Sequence, residues 1–161
     1  MLRRVISGGQ TGVDQAGLRA ARAFAIETGG YMPKGWKTES GSRPDLARAF
    51  GLVEHDSPLY PPRTKANVAH SDGTLWLQTD AGSDSSGRAC TLGACYAIEK
   101  PCIWLTRGSG DDPAKIVDWI RSSGIRVLNV AGNRESKSPG IGEWAERLLC
   151  DVFRMLGHVE F

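Results

Sequence analysis

The chain has 161 residues, 40% of them apolar, and a formal net charge of +2 at pH 7, which suits one well-filled core rather than two. Acidic and basic residues are interleaved, so the sequence lacks the basic stripe typical of proteins that bind nucleic-acid polymers. No apolar run reaches the roughly 18 to 20 residues of a membrane span, and the first predicted strand follows Met1 almost at once. We therefore expect a single cytoplasmic domain over residues 1–161.

The first predicted elements are a short strand, a glycine loop and a helix. Arg3–Ser7 is predicted as a short buried strand, the loop "SGGQTGVD" begins at its last residue, and Leu18, Ala21 and Ala25 then recur at helical spacing. Glycines let backbone N–H groups converge on an anion, and the N-terminus of the following helix adds a partial positive charge. No GK[ST] follows at the distance that a Walker A loop requires. The segment therefore predicts an anion-binding loop of another type.

Further along the chain, predicted strands and helices alternate. In chain order they are a strand over Leu52–Glu54, a helix over Ala66–His70, a strand over Thr74–Gln78, a helix over Ala89–Glu99, a strand over Cys102–Leu105, a helix over Pro113–Ser122, a strand over Arg126–Val130 and a helix over Ile141–Leu156. The strands read as buried on both faces, which is typical of parallel sheets. Parallel neighbours need crossover connections, so the pattern predicts an α/β class, three-layer α/β/α Rossmann-like domain with a mainly parallel sheet.

Glycine- and serine-rich loops follow four of the predicted strands. They read "SGGQTGVD", "TDAGSDSSGR", "TRGSGDD" and "AGNRESKSPG", and a further turn, "GGYMPKG", ends the first helical unit. In a parallel sheet, ligands bind outside the carboxyl ends of the strands. Four such loops at one edge favour a phosphorylated small molecule as the ligand, and the alternative is that each loop is an ordinary turn.

Four charged side chains beside these loops are candidates for ligand contacts. Arg134 and Lys34 flank glycine turns, where a cation can grip a phosphate. Asp14 is either a helix N-cap that accepts a backbone N–H two or three residues on, or a contact to a ribose hydroxyl. Arg88 either binds the ligand or covers the end of a helix.

The cysteines and histidines give no signal of a metal site. The cysteines lie in apolar segments without a CxxC pair and are interpreted as reduced core thiols: Cys90, Cys95, Cys102 and Cys150. The histidines have no partner at catalytic or metal-ligand spacing and are interpreted as surface or satisfied residues: His55, His70 and His158.

Three segments carry a resemblance to a known superfamily. "VISGGQTGVDQAGLRAARAFAIETGGYMPKG" resembles the glycine-loop-to-second-strand segment of the lysine-decarboxylase-like LOG proteins and the wider SLOG superfamily, and "HSDGTLWLQTDAGSDSSGRACTLGACYAIEKPCIWL" resembles its second glycine signature. "VLNVAGNRES" is similar to the superfamily's opening strand and loop, here found at the other end of the chain. The order is that of a circular permutation. Over nearly its full length, the chain is identified as a member of the circularly permuted YpsA-related SLOG proteins, also named molybdenum carrier proteins.

The resemblance implies a binding function. SLOG domains are Rossmann-like binders of nucleotides or nucleotide derivatives, and some act as phosphoribohydrolases. The molybdenum name implies the molybdenum cofactor, whose pterin carries a phosphate. The ligand implied is therefore a phosphorylated small molecule, a nucleotide derivative or a molybdopterin-type cofactor. The alternative is a nucleotide-processing enzyme such as a nucleoside-monophosphate phosphoribohydrolase. Related domains pair through helices, so the resemblance also implies a homodimer.

The resemblance also implies which residues bind the ligand, and it assigns no catalytic residue and no metal ligand. The residues that carry over are Gly8, Gly9, Gln10, Thr11, Gly12, Asp14, Lys34, Ser71, Asp72, Gly87, Thr91, Gly132, Arg134, Glu135 and Ser136, and their neighbours Ser86, Arg88 and Asn133 complete the set. The chain departs from the pattern where "SSGR" replaces paired glycines and where Asn133 replaces a proline. Thr91 stands near the position of the helix acid of hydrolytic LOG proteins, which disfavours N-glycosidic cleavage.

Overall fold

A five-stranded parallel sheet forms the centre of the protein. The structure is a computed structural model that describes residues 1–80, 85–110 and 112–161. In chain order its elements are β1 (Arg4–Ile6), α1 (Val13–Ala23), β2 (Glu27–Gly29), β3 (Tyr31–Met32), β4 (Lys37–Thr38), β5 (Gly41–Ser42), α2 (Pro44–Phe50), β6 (Val53–Glu54), α3 (Tyr60–Ala69), β7 (Gly73–Gln78), α4 (Ser85–Ala97), β8 (Cys102–Thr106), α5 (Pro113–Ser122), β9 (Val127–Gly132) and α6 (Ile141–Met155).

The strands of this sheet follow the order β2-β1-β9-β7-β8, and every neighbouring pair is parallel. Arg4 of β1 is in register with Val127 of β9, and Gly73 of β7 is in register with Leu128. The first strand of the chain therefore pairs with the last one. The predicted α/β class and mainly parallel sheet are confirmed.

Helices cover both faces of the sheet because side chains of a strand alternate between its two faces. On β7, Leu75 and Leu77 are buried in the main core with Leu149 and Phe153 of α6, on the face covered by α1, α5 and α6. Trp76 lies between them in sequence and points to the other face, which α3 and α4 cover. The layers are therefore helix, sheet and helix.

Several boundaries differ from the sequence predictions. The strand predicted over Leu52–Glu54 is reduced to Val53–Glu54, which is exposed and pairs with Tyr31–Met32 in a separate two-stranded sheet. The expectation of a strand buried on both faces is wrong there, because two residues at the surface do not enter the central sheet. Ala25 lies beyond the end of α1 and has a positive φ of 51°.

Two helices begin earlier than predicted. α3 starts at Tyr60 and carries prolines in its first turn, where a missing N–H costs nothing. α4 starts at Ser85, and the predicted loop "TDAGSDSSGR" runs into it, with residues 81–84 outside the described residues. Asp111 of the predicted loop "TRGSGDD" also lies outside them.

The four cysteines are all free thiols, but only one of them is fully buried. Cys95 is buried, whereas Cys90, Cys102 and Cys150 are half-buried. Burial raises the pKa of the Cys95 thiol, which keeps it protonated and a weak nucleophile. Within residues 1–80, 85–110 and 112–161, no group of three His, Cys, Asp or Glu side chains is placed to hold a metal ion.

Candidate functional site

A cavity of about 250 Å³ lies at the carboxyl edge of the sheet, on the face covered by α3 and α4. Trp76, Asn129 and Ala131 of β7 and β9 form its floor, and the first turns of α4 form one wall. Because β1 and β9 are parallel neighbours, the loops that follow them open at the same edge. The loops at the two ends of the chain therefore meet in this cavity.

Eight of the predicted ligand residues line the cavity, from three separate segments of the chain. They are Gly8, Gln10, Asp14, Ser86, Gly87, Thr91, Gly132 and Arg134. The structure adds further lining residues that the sequence reasoning missed, among them Tyr60, Arg63 and Asn67 of α3. The helical pattern predicted only Ala66–His70 in this region, so it did not indicate that Tyr60 and Arg63, in the first turns of α3, face the glycine loop.

Asp14 and Arg63 form a buried ion pair at the cavity wall. Arg63 Nη1 lies 3.4 Å from Asp14 Oδ2, and the two side chains are 11% and 5% exposed. Burial raises the pKa of Asp14, although the Arg63 charge and a hydrogen bond from the Gln10 N–H lower it in part. The Asp14 carboxyl thus sits where its charged form is costly and depends on Arg63.

The N-cap interpretation of Asp14 is wrong in its detail. α1 begins at Val13 and follows Gly12, so Asp14 lies inside the first turn. Its Oδ2 accepts the N–H of Gln10, four residues earlier, at 3.3 Å, and not an N–H further along the helix. The carboxylate therefore closes the glycine loop rather than the helix end. A contact to a ribose hydroxyl stays a prediction.

The N–H groups of the glycine loop do not converge on the cavity as the sequence analysis expected. The Gly9 N–H donates to Ser7 Oγ at 3.3 Å, and the Thr11 N–H donates to Gln10 Oε1 at 3.1 Å. The polar side chains beside the loop fold back and supply acceptors to its backbone. A bound anion would instead meet side-chain donors.

Close packing explains the glycines of this loop. A Cβ on Gly8 would lie 1.7 Å from Arg63 Nη1, and a Cβ on Gly12 would lie 2.4 Å from the Asn133 carbonyl oxygen. Gly9 has a φ of 72° and packs against Met32 outside the cavity. The glycines thus admit the guanidinium of Arg63 and the backbone of the loop after β9.

Two buried donors in the cavity wall have no acceptor among the residues that the structure describes. Gln10 Nε2 and Arg63 Nε are both without a hydrogen-bond partner, and the two residues are only 5% and 9% exposed. Gln10 Oε1, in contrast, accepts the N–H groups of Thr11 and Glu39. A buried donor without an acceptor is costly and calls for an explanation.

Three cations surround the ring of Tyr60 at the mouth of the cavity. The guanidinium carbons of Arg63 and Arg134 each lie 5.5 Å from the ring centroid, and Lys37 Nζ lies 5.2 Å from it. Such contacts hold cations in place on an aromatic face. Two carboxylates, those of Asp14 and Glu39, lie near these three cations, so positive charge exceeds negative charge among the five residues.

Some predicted ligand residues lie at the opposite edge of the sheet. Asp72 Oδ2 accepts the N–H groups of Arg126 and Val127 at 2.9 and 2.8 Å, where β9 begins. Ser71 Oγ donates to the Val68 carbonyl at 3.0 Å. Neither residue lines the cavity, because both precede β7 and so lie at the amino ends of the strands; their contact with a ligand stays a prediction.

Lys34 and Arg88, which were also predicted as ligand residues, do not line this cavity. Lys34 is exposed in the segment between β3 and β4 and does not line the cavity. The guanidinium of Arg88 lies 5.1 Å from the centroid of the Trp104 ring on β8. This contact establishes neither of its two predicted roles, binding the ligand or covering the end of a helix, and both stay predictions.

The remaining predicted residues lie on the outer side of the two loops. Thr11, Gly12, Glu135 and Ser136 line a more open cavity of about 600 Å³. The Glu135 carboxylate accepts the N–H groups of Gly140 and Gly142 and so caps the start of α6. Asn133 is 1% exposed and its Oδ1 accepts the Thr79 N–H at 3.1 Å, which joins two loops.

The comparison with known proteins now assigns the family. Residues 5–153 match the circularly permutated YpsA SLOG family. The chain belongs to this family. A solved structure from Syntrophus aciditrophicus SB, named "Putative molybdenum carrier protein", is similar to this SLOG protein with 37% identity and a TM-score of 0.84 over 94% of each chain. A search of curated proteins gives no significant match.

These matches confirm the predicted family, the Rossmann-like fold and the permuted order. The permutation explains how the cavity forms in this SLOG protein: the strand and loop expected at the start of the fold stand at residues 127–136, and they still pair with β1. Pairing in the sheet, rather than order in the sequence, brings the two loops together.

Proposed function

We propose that this SLOG protein binds a phosphorylated small molecule in the cavity between the glycine loop, α3 and α4. The single observation that carries the proposal is the pair of buried donors without acceptors, Gln10 Nε2 and Arg63 Nε, in the wall of one cavity. Both atoms lie beneath the cavity surface, so an anionic ligand would satisfy them once the two side chains turn towards its oxygen acceptors, and Arg134 at the same wall would add a bidentate cation.

We infer that the ligand is a nucleotide derivative or a molybdopterin-type cofactor. Tyr60 and Trp76 line the cavity, so a planar ring held there would adjoin aromatic side chains, and the name of the similar structure from Syntrophus aciditrophicus points to a molybdenum carrier. The donors described at the cavity are guanidinium and amide groups, which fit phosphate or molybdate oxygens, whereas its one described thiol, Cys90, does not make a ligand set for a bare metal ion. When bound, a molybdenum cofactor would supply the redox chemistry, and the residues of this chain would hold its phosphate.

The experiment that tests the proposal is Gln10→Glu. Glutamate keeps the acceptor oxygen used by the Thr11 and Glu39 N–H groups, but replaces the free amide donor with a negative charge. Calorimetry would compare adenosine monophosphate with adenosine as probes. We expect wild type to prefer the monophosphate, and the variant to lose about tenfold or more of that affinity while circular dichroism shows that it is folded.

Ser123→Glu is the control, because Ser123 is exposed at the end of α5, lines neither cavity, and would add the same charge away from the proposed site. Equal monophosphate affinity in wild type and Gln10→Glu would contradict the proposal. Native mass spectrometry of protein purified without added ligand would identify the compound that the cavity retains.

A second candidate function is hydrolysis of a nucleoside monophosphate, and Asp14 is the observation that favours it. Among the described residues that line the cavity, Asp14 is the carboxyl group, and burial raises its pKa towards that of a general acid. Its hydrogen bond from Gln10 and its pairing with Arg63 support a structural role instead. Release of free base from adenosine monophosphate by wild type, and its loss in Asp14→Asn, would establish the enzyme.

The setting of this function in the cell rests on the sequence. In the described part of the chain, no helix is long and apolar enough to cross a membrane. The single domain and the cytoplasmic location stay predictions from the sequence, and the homodimer stays a prediction from the family resemblance; we propose all three for this protein.

A further inference from the structure

The Glu39 carboxylate lies between the loops that follow β1 and β9. Glu39 stands in the tip of the β4–β5 hairpin, and its side chain is 17% exposed. The carboxylate accepts hydrogen bonds from the hydroxyls of Thr11 and Ser136 and from the Ser136 N–H, the last at 3.2 Å. Arg134 Nε lies 4.0 Å from its Oε2. One carboxylate thus takes two hydroxyls, a backbone N–H and a guanidinium.

This donor set is the kind that proteins use for phosphate oxygens. Thr11, Arg134 and Ser136 were all predicted from the sequence as ligand residues, yet in this structure a side chain of the same protein meets them. Burial raises the pKa of Glu39, but the hydrogen bonds from Ser136 and Thr11 and the Arg134 charge outweigh it, so the pKa is lowered. The donors therefore stabilise a negative charge at this point.

The hairpin that carries Glu39 is small and attached through this residue. β4 and β5 have two residues each and pair only with each other. The Glu39 N–H also donates to Gln10 Oε1 at 2.9 Å, so backbone and side chain of Glu39 both contact the loops of the site. Release of the carboxylate would break the bonds that hold the hairpin tip on the two loops.

We propose that Thr11, Arg134 and Ser136 form an oxyanion subsite that the Glu39 carboxylate occupies in the ligand-free protein, and that the phosphate of a ligand displaces it. The inference rests on the proposed function and divides the ligand between the two cavities: its phosphate binds at this subsite, and its other oxygen atoms meet Gln10 and Arg63 in the inner cavity. Arg134 both lines the inner cavity and faces Glu39, so the subsite adjoins the cavity. A carboxylate and a phosphate repel each other on the same donors, so Glu39 acts as a built-in competitor.

The test is Glu39→Ala, with adenosine monophosphate and adenosine as calorimetric probes. If the competitor holds the subsite nine-tenths of the time or more, its removal strengthens apparent monophosphate affinity by about tenfold or more. Adenosine, which lacks the phosphate, is expected to bind both proteins alike. Glu39→Gln keeps the shape and one acceptor, and is expected to show an intermediate gain.

Glu143→Ala is the matched control. Glu143 lines the same outer cavity, but its side chain is 71% exposed and pairs with Arg147. This variant removes an equal charge nearby without touching the subsite, so its monophosphate affinity is expected to stay within about twofold of wild type.

Hydrogen exchange of the hairpin gives an independent readout. With saturating monophosphate, the amides of residues 37–42 are expected to exchange faster, because the Glu39 tip has left the loops. Slower exchange would mean that the hairpin closes over the ligand, and would overturn the inference.

Unchanged or weaker monophosphate affinity in folded Glu39→Ala or Glu39→Gln would also overturn it. The proposed function would survive that result if wild type still prefers the monophosphate to adenosine. If wild type and the Glu39 variants all fail to distinguish the two probes, the proposed function fails and the inference fails with it.

Discussion

Arg63→Met tests whether the buried ion pair supports the cavity. Methionine fills similar space but leaves the Asp14 carboxylate without its cation. At the observed 3.4 Å, an effective dielectric constant of about 20 gives an attraction of about 5 kcal/mol. Water that reaches Asp14 through the cavity, together with its bond from the Gln10 N–H, reduces the loss. We expect the free energy of unfolding to fall by about 3 kcal/mol at pH 7.

The loss is expected to depend on pH in a definite direction. Burial raises the pKa of Asp14 above its unfolded value, so this group contributes stability at low pH that is lost as the pH rises through the folded pKa. Arg63 lowers the folded pKa of Asp14, so this pKa rises further in Arg63→Met. The free energy of unfolding then continues to fall up to a higher pH than in wild type. Arg63→Met is therefore expected to be least destabilising near pH 5 and most destabilising near pH 8.

Urea denaturation of four proteins at both pH values would check this expectation: wild type, Arg63→Met, Asp14→Asn and the double variant. The double variant removes both charges and is expected to recover all but about 1 kcal/mol of the stability lost in Arg63→Met. An equal loss at pH 5 and pH 8, or no recovery in the double variant, would refute the role given to the pair.

Three further predictions concern residues that the sequence assigned to one ligand site. Arg134→Ala is expected to weaken the affinity for adenosine monophosphate by one to two decades, roughly 1.5 to 3 kcal/mol, and to leave the affinity for adenosine unchanged. Arg134→Lys is expected to restore only part of this loss, and an equal loss for both probes in calorimetry would show that Arg134 does not contact phosphate. Glu135→Gln is expected to lower unfolding free energy by about 1 kcal/mol through the α6 cap, with monophosphate affinity kept. Asp72→Ala is expected to lower the free energy of unfolding by about 1 to 3 kcal/mol in urea denaturation. A change in the variant's affinity for adenosine monophosphate would show that Asp72 belongs to the ligand site.

Much of the fold was predictable because it is encoded locally. The apolar runs of β7, β8 and β9 and the helical face of α6, with Ile141, Leu148 and Val152 all buried, follow from periodicity within one element. Short elements were not predictable in this way. β2, α2 and the β4–β5 hairpin have seven residues or fewer, too few for a period to show.

The candidate site was predictable only as far as strand ends could place it. The residues after β1 and β9 lie at the carboxyl edge of the sheet, as expected of parallel strands. Asp72 was also assigned to the ligand from a motif, but it lies at the opposite edge because it precedes its strand. A motif gives residue types in order. Which edge of the sheet they reach depends on the strand that follows or precedes them.

The sequence by itself determined the family, the parallel α/β architecture and the glycines that let loops pack closely. Only the tertiary structure decided the partners of the charged groups. Arg63 meets Asp14 across 49 residues of chain, and Glu39 meets Ser136 across 97. Such pairs leave no mark in local composition, since each partner alone reads as an ordinary polar residue. Their meaning comes from burial, because a charge or donor removed from water must find a partner wherever the fold supplies one, in the protein or in a ligand.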